Sequence, residues 1–114
     1  MENHTIVKAS EVTGVKVTNP AGEDLGEINE VVLDKMSGKV NYLVLDFGGI
    51  LGFGNKFFAV PWQSLSYNPT DNCYILNGVT EERLKNAPGF NKENWPDFAD
   101  RTVTDSITRF YQIN

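Results

Sequence analysis

The sequence predicts a mainly β fold, a small barrel or compact sheet of five or six short antiparallel strands, followed by short C-terminal helical segments. Apolar and polar residues alternate over short stretches, and turn-forming residues separate these stretches at even spacing. The alternation stops after Gly78. Evenly spaced short strands in consecutive hairpins are typical of small barrels, and closure of a barrel protects the sheet edges.

The first strand is predicted around Val15 and Val17, which alternate with polar neighbours in a period of two. The turn chemistry that follows lies in residues 19–22, "NPAG". Proline fixes φ and glycine accepts a positive φ, so this stretch predicts the first reversal of the chain.

The second strand runs from about Leu25 to Asp34. Its apolar phase slips by one residue between Ile28 and Val31. One extra residue near Asn29-Glu30 explains the slip, as in a β-bulge. The next turn has Gly38 at the position where a positive φ is expected.

The third strand, Lys39 to Phe47, is the strongest β signal in the chain. Both of its faces are apolar, which predicts a strand that is covered on both sides. The two faces consist of Leu43, Leu45 and Phe47 on one side and Val40, Tyr42 and Val44 on the other.

The stretch "KFFAVPW" predicts a fourth strand, which Pro61 ends or places at an edge, and residues 64–77 predict a final hairpin. Thr80 caps a predicted short helix, and "TDSITRFYQIN" predicts a closing helix. The predicted organisation is a tail at residues 1–7, a barrel at 8–78, and an extension at 79–114 that packs on the barrel.

A chain of 114 residues predicts one domain with a core of its own. The formal net charge of -5 disfavours nucleic acid and acidic membrane surfaces as partners. No apolar run is long enough to cross a bilayer, so no direct membrane insertion is expected. The single cysteine forms no internal disulfide, and the N-terminus lacks the apolar region of a signal peptide. We therefore expect a cytoplasmic protein.

Residues 48–56, "GGILGFGNK", contain four glycines, which raises the question of a phosphate-binding loop. Such a loop leads into a helix, whereas a predicted strand follows here, and the Lys-Ser/Thr pair of a nucleotide loop is missing. Two interpretations stay open. The stretch is either a packed connection between strands or an exposed apolar tip formed by Ile50, Leu51 and Phe53.

No convincing catalytic or metal-binding set emerges from the sequence, and no cofactor is expected. His4 lies in the tail, and Cys73 lies in a predicted strand where a small buried residue fits. Trp62 and Trp95 are interpreted as packing residues. Asp46 interrupts an apolar strand, which predicts partial burial with a hydrogen bond. The other candidate carboxylates, interpreted as solvated, are Glu23, Asp24, Asp34, Asp97 and Asp100.

Residues 8–77 resemble a PRC-barrel domain. The resemblance rests on an ordered series of positions that starts with a turn motif, continues through a glycine-rich connection, and ends in a hydrophobic-Pro-Trp sequence. These positions are Gly14, Val17, Asn19, Gly22, Glu23, Leu25, Gly26, Ile28, Glu30, Asp34, Gly38, the glycines of 48–54, Val60, Pro61 and Trp62.

The resemblance implies a small β-barrel that docks on a protein partner and has no catalytic residues. The family includes the cytoplasmic domain of the photosynthetic reaction-centre H subunit and the C-terminal domain of a ribosome maturation factor. The leading hypothesis is a non-catalytic interaction module that binds itself, and the self-association rests on the doubly apolar strand 39–47 together with the apolar glycine-rich stretch. Its candidate contact residues are Tyr42, Val44, Ile50, Leu51 and Phe53.

Two alternatives stay open at this point. The first is an accessory domain of a photosynthetic or respiratory electron-transfer complex. The second is a small-ligand or metal binder, or an enzyme, that uses Asp46 and neighbouring carboxylates.

Overall fold

The computed structural model of the chain describes residues 6–48, 56–87 and 89–111. This part of the chain is mainly β, as predicted, with three short helices. The elements are α1 (Ala9–Val12), β1 (Lys16–Thr18), β2 (Asp24–Leu33), β3 (Val40–Asp46), β4 (Phe57–Pro61), a 3₁₀ turn (Trp62–Ser64), β5 (Leu65–Asn68), β6 (Cys73–Leu76), α2 (Glu81–Asn86) and α3 (Arg101–Phe110).

The strands form one sheet in the order β4-β3-β2-β1-β6-β5. Neighbouring strands are antiparallel except β1 and β6, which run parallel with Val17 opposite Tyr74 and Thr18 opposite Ile75. The prediction of a purely antiparallel set is wrong at this pair. Sequence periodicity predicts hairpins between strands that follow one another in the chain. It does not predict the β1–β6 pair, because this pair joins the first strand to the last.

The sheet curls into a half-barrel, and the connection between β4 and β5 requires this curvature. These strands are the two ends of the described sheet, yet only the 3₁₀ turn separates Pro61 from Leu65. Four Cα–Cα steps span at most about 14 Å. The outer strands of a flat six-stranded sheet would lie about 24 Å apart.

β2 contains the predicted bulge. Its register with β3 shifts between Ile28 and Glu30, so Asn29 is the extra residue. A closer approach of the two strands occurs at Gly26, which has φ +125°. A Cβ at this position would overlap the carbonyl oxygen of Asp46. Only glycine therefore fits where β2 crosses the end of β3.

The concave face of the sheet holds the main core. Alternate residues of β2, β3 and β4 point into it, and Val12 of α1 and Leu84 of α2 pack against them. The buried cluster consists of Val12, Val17, Leu25, Ile28, Leu43, Leu45, Phe47, Phe58, Val60, Tyr74, Leu76, Val79, Leu84 and Ala87. A cluster of this kind stabilises the fold through removal of apolar surface from water.

The helix prediction is confirmed for α2, where Thr80 Oγ1 accepts a hydrogen bond of 3.1 Å from the Arg83 amide. The closing helix begins at Arg101, earlier than predicted, because Asp100 Oδ1 accepts a 2.9 Å hydrogen bond from the Thr102 amide. α1 was not predicted. A single helical turn is too short to show helical periodicity.

Candidate functional site

The predicted contact residues Tyr42 and Val44 lie on the convex face of the sheet. On β3 they are paired with Pro61 and Ala59 of β4. Val44 has no exposed surface, and Tyr42 is partly buried. The other predicted contact residues, Ile50, Leu51 and Phe53, lie outside the described residues.

The C-terminal cover, which we define as residues 89–111, lies over this convex face. The rings of Tyr42 and Phe98 stack with their centroids 5.4 Å apart. Phe57 contacts Phe90 and Trp95, with centroid distances of 5.8 and 6.1 Å. Phe57 and Phe90 also exchange two backbone hydrogen bonds of 2.8 and 2.9 Å. The cover therefore pairs with the edge of β4 and packs on its convex side.

The far end of the cover returns to α2. Arg83 Nη2 donates a 2.8 Å hydrogen bond to the carbonyl oxygen of Phe110, and the guanidinium carbon lies 4.3 Å from the centre of the Phe110 ring. The hydroxyl of the next residue, Tyr111, is buried and has no hydrogen-bond partner among the described residues. Burial raises the pKa of this phenol well above its usual range.

The prediction that β3 is covered on both faces is confirmed, but the chain itself supplies the second layer. Val44 is 0% exposed beneath this layer. Val44 therefore has no exposed surface in this structure, and its contact with a partner stays a prediction. Patterning along β3 correctly indicated a covered strand, but it carried no information on whether the covering segment belongs to the same chain.

An open groove lies beside the cover, at the end of the sheet where β3 begins and β4 ends. We call it the Trp62 groove. Its volume is about 600 Å³, and it is lined by Lys39, Val40, Asn41, Tyr42, Pro61, Trp62, Gln63 and Thr108. Strands β3 and β4 with the 3₁₀ turn form one side, and Thr108 of α3 contributes from the cover. Pockets of several hundred Å³ are the usual size of ligand sites in proteins.

Trp62 is positioned by the end of β4. Pro61 cannot donate a hydrogen bond to continue the ladder, and the chain enters the 3₁₀ turn, where the Leu65 amide bonds the Trp62 carbonyl oxygen. The Trp62 ring meets the edge of Tyr74 at 6.1 Å, yet the side chain is 44% exposed. Trp62 therefore packs against Tyr74, as interpreted, but it is not a buried core residue.

The polar side chains of the groove have unused hydrogen-bonding capacity. In the part of the chain that the structure describes, the side chains of Lys39, Asn41, Tyr42, Trp62 and Gln63 make no intramolecular hydrogen bond. All of them line the groove. Groups of this kind bind water in the free protein and can bind a ligand in its place.

Lys39 is the one charged side chain among the described residues that line the groove. Burial raises the pKa of Tyr42, and the nearby carboxylate of Asp105 raises it further. The Tyr42 hydroxyl therefore keeps its proton at neutral pH and can donate a hydrogen bond.

The other candidate residues are dispersed. Asp46 is half-buried, as predicted, and its Oδ1 accepts a 3.1 Å hydrogen bond from the Gly48 amide. Cys73 is buried, and His4 lies outside the described residues. Among the residues that the structure describes, no group of three or more His, Cys, Asp or Glu side chains could hold a metal ion.

Several of the carboxylates act as local caps of the backbone. Asp34 Oδ1 accepts hydrogen bonds from the Ser37 and Met36 amides, which hold the pKa of this carboxyl below its usual value. Asp97 and Asp100 accept from amides two residues ahead. These geometries fix turns and a helix start.

Asn19 and Glu23 form a partly buried connection between the β1–β2 turn and α2. Asn19 is 4% exposed, and its Nδ2 donates to Glu23 Oε1 at 2.6 Å and to the Val79 carbonyl at 3.2 Å. Glu23 Oε1 also accepts from the Glu81 amide at 3.1 Å. The Asn19 bond, followed by the Glu81 bond, lowers the pKa of Glu23. The sequence predicts Glu23 among the solvated carboxylates, whereas in the structure it is half-buried and hydrogen-bonded.

No helix in the described ranges 6–48, 56–87 and 89–111 has both the length and the apolar character needed to cross a membrane.

Comparison with known proteins identifies the family to which the chain belongs. A search of curated proteins gave no match to the chain. The sequence model of the PRC-barrel domain matches residues 4–83, which is more than half of the chain. The match includes the Asn19–Glu23 turn, Gly26 and Trp62, and it ends before the C-terminal cover. The finer division into tail, barrel and extension stays a prediction. The chain belongs to the PRC-barrel domain family.

Proposed function

We propose that the chain is a non-catalytic protein-interaction module and that the Trp62 groove holds an extended segment of a partner protein. The observation that carries this proposal is the half-exposed Trp62 in an open groove of about 600 Å³. Tryptophan side chains dominate the energetics of many protein interfaces because they bury a large area at a low cost in conformational entropy.

The lining of the groove supports binding. It combines apolar and aromatic side chains with amides, one lysine and one threonine. Recognition sites typically have this composition, in which apolar surface supplies affinity and a few polar groups fix orientation. The proposal assigns no proton transfer or bond cleavage to these residues.

An extended segment fits the groove better than a flat protein surface does. The groove is open and lies at the end of the sheet, with Thr108 of α3 contributing from the cover. An extended chain segment can lie in such a groove and place some of its side chains against the lining. The convex face of β3, which a globular partner would need, is already covered by Phe98 and its neighbours.

The test compares three purified baits: the unchanged chain, Trp62→Ala and Trp95→Ala. Trp95 is a matched control, since it is 39% exposed but does not line the groove. Each bait is incubated with an extract of cells that produce the chain. We expect a partner that the unchanged chain and Trp95→Ala retain and Trp62→Ala loses. The purified partner should then bind the purified chain directly in calorimetry.

Two results would contradict the proposal. One is a partner that binds all three baits equally, because it would use another surface. The other is a second copy of the chain as the occupant, which would appear as a dimer in light scattering that Trp62→Ala dissociates. Self-association through the residues first predicted for it stays a separate prediction, and light scattering of the unchanged chain at high concentration tests it.

A further inference from the structure

We infer that the segment held by the Trp62 groove is rich in proline and binds in the polyproline II conformation. This inference rests on the proposed function and specifies the chemistry of the partner. It follows from three properties of the groove: an excess of hydrogen-bond donors, an aromatic floor and a nearly uncharged lining.

The lining of the groove carries more hydrogen-bond donors than acceptors. Lys39 and Trp62 have side chains that only donate hydrogen bonds, and no carboxylate lines the groove. Tyr42 and two amides, Asn41 and Gln63, add further donors, and none of these five side chains has a hydrogen-bond partner within the described residues. A suitable ligand therefore presents acceptors in excess of donors.

A proline-rich segment has this imbalance. Each proline lacks a backbone N–H group but keeps its carbonyl oxygen. In the polyproline II helix the carbonyl groups make no internal hydrogen bonds and point outward into solvent. A β-strand ligand would instead bring an N–H donor at every residue, and neither Lys39 nor Trp62 offers an acceptor for such a donor.

The aromatic side chains are the second property of the groove. Trp62 and Tyr42 line the groove together with Pro61, and the Phe98 ring supports Tyr42 from behind the groove by stacking at 5.4 Å. Proline rings are rigid and apolar, and they dock in aromatic-lined grooves. Because the polyproline II helix is preformed, its binding costs little conformational entropy.

Charge is the third property of the groove. Lys39 is the only charged residue among the described residues that line the groove, the Asp105 carboxylate lies near Tyr42, and the whole chain has a net charge of -5. The molecule as a whole would repel a strongly acidic ligand, whereas Lys39 disfavours a cationic group placed directly beside it. The favoured ligand is therefore uncharged along the part that the groove contacts.

Isothermal titration calorimetry with decaproline tests the inference, with a Gly-Ser peptide of the same length as the control ligand. We expect saturable binding of decaproline to the unchanged chain and none of the control. Trp62→Ala should weaken binding at least about tenfold, as expected for an aromatic anchor. Tyr42→Phe removes one donor and should weaken binding about threefold to tenfold. Trp95→Ala should stay within about twofold of the unchanged chain.

Circular dichroism of each variant establishes that it is folded, and Tyr42→Phe preserves the ring stack if Trp62→Ala does not fold. Decaproline binding that is equal in Trp62→Ala and the unchanged chain would overturn the inference. So would selection from a random-peptide library of proline-free peptides that need Trp62, in the absence of decaproline binding. That result would leave the proposed function intact. If the groove selects no peptide at all, the result would contradict both the inference of a proline-rich ligand and the proposed function.

Discussion

At the scale of single residues, Gly26 shows how a close approach fixes a residue type. Its φ is +125°, and a Cβ would overlap the Asp46 carbonyl oxygen. We expect Gly26→Ala to lower the free energy of unfolding by about 3 kcal/mol or more, since β2 and β3 must separate to admit the methyl group. Urea denaturation measures the change.

Gly38 provides the matched control for this substitution. It also has a positive φ, +79°, but nothing lies within 4 Å of a Cβ built there. Gly38→Ala should therefore cost only about 1 kcal/mol, from backbone strain alone. Equal losses in the two variants would show that the contact with Asp46 is unimportant.

Glu23 makes the free energy of unfolding depend on pH in the acidic range. Hydrogen bonds from Asn19 and the Glu81 amide lower its pKa in the folded state. Its contribution to stability is therefore complete above its ordinary value of 4.5 and is lost as the pH falls through the lower folded pKa. In Glu23→Gln, the free energy of unfolding should fall less steeply below pH 4.5.

Thermal unfolding over a pH series measures this dependence. Glu27→Gln is the control, because Glu27 is exposed on the neighbouring strand and its substitution leaves the Asn19–Glu23 bonds intact. If Glu23→Gln and the unchanged chain lose stability in parallel in acid, the partly buried connection does not account for the pH dependence.

The exposure of Trp62 marks the limit of sequence reasoning at this scale. A large aromatic residue is most often buried at least in part, and the "VPW" stretch gave no reason to treat Trp62 otherwise. Its exposure follows from the 3₁₀ turn that Pro61 begins. The turn chemistry was visible in the sequence, but the open space beside the turn depends on where α3 lies.

At the scale of elements, the C-terminal cover lies after residue 83, where the family match ends. It packs its aromatic residues on Tyr42 and Phe57, yet α3 has no fully buried residue. The cover also buries the Tyr111 hydroxyl without a partner. The packing of the cover on the sheet therefore combines favourable ring contacts with the unfavourable desolvation of the Tyr111 hydroxyl.

Tyr111→Phe tests this balance. We expect the substitution to raise the free energy of unfolding by about 1 kcal/mol, because it removes a buried polar group that makes no hydrogen bond. Differential scanning calorimetry should show a higher Tm. Tyr67→Phe is the control, since that hydroxyl bonds Asn72 Oδ1 at 2.5 Å and the side chain is 50% exposed. A lower Tm for Tyr111→Phe would indicate that its hydroxyl is paired in solution.

The elements themselves were largely predictable from local patterns. The phase slip in β2 located the bulge, Thr80 located the start of α2, and residues 68–72 located the turn of the β5–β6 hairpin. These features depend on residues that are close in sequence. The early start of α3 was missed because both Asp97 and Asp100 offer capping carboxylates, and local sequence does not choose between them.

At the scale of the whole molecule, two features required information beyond local patterns. The parallel β1–β6 pair joins segments that are distant in sequence. The curvature follows from the short connection between β4 and β5, once their places at opposite ends of the sheet are known. The Trp62 groove likewise depends on the arrangement of distant segments, since it lies where β4 ends and where the cover crosses the curled sheet.

The central proposal is that this chain binds a proline-rich segment of a partner in the Trp62 groove. An ¹⁵N-labelled sample tests it most directly, because the chain has two tryptophans and should give two indole N–H signals. On titration with decaproline, the account predicts that the indole signal of Trp62 shifts to saturation while that of Trp95 stays in place. A titration that shifts Trp95 alone, or neither signal, would contradict it.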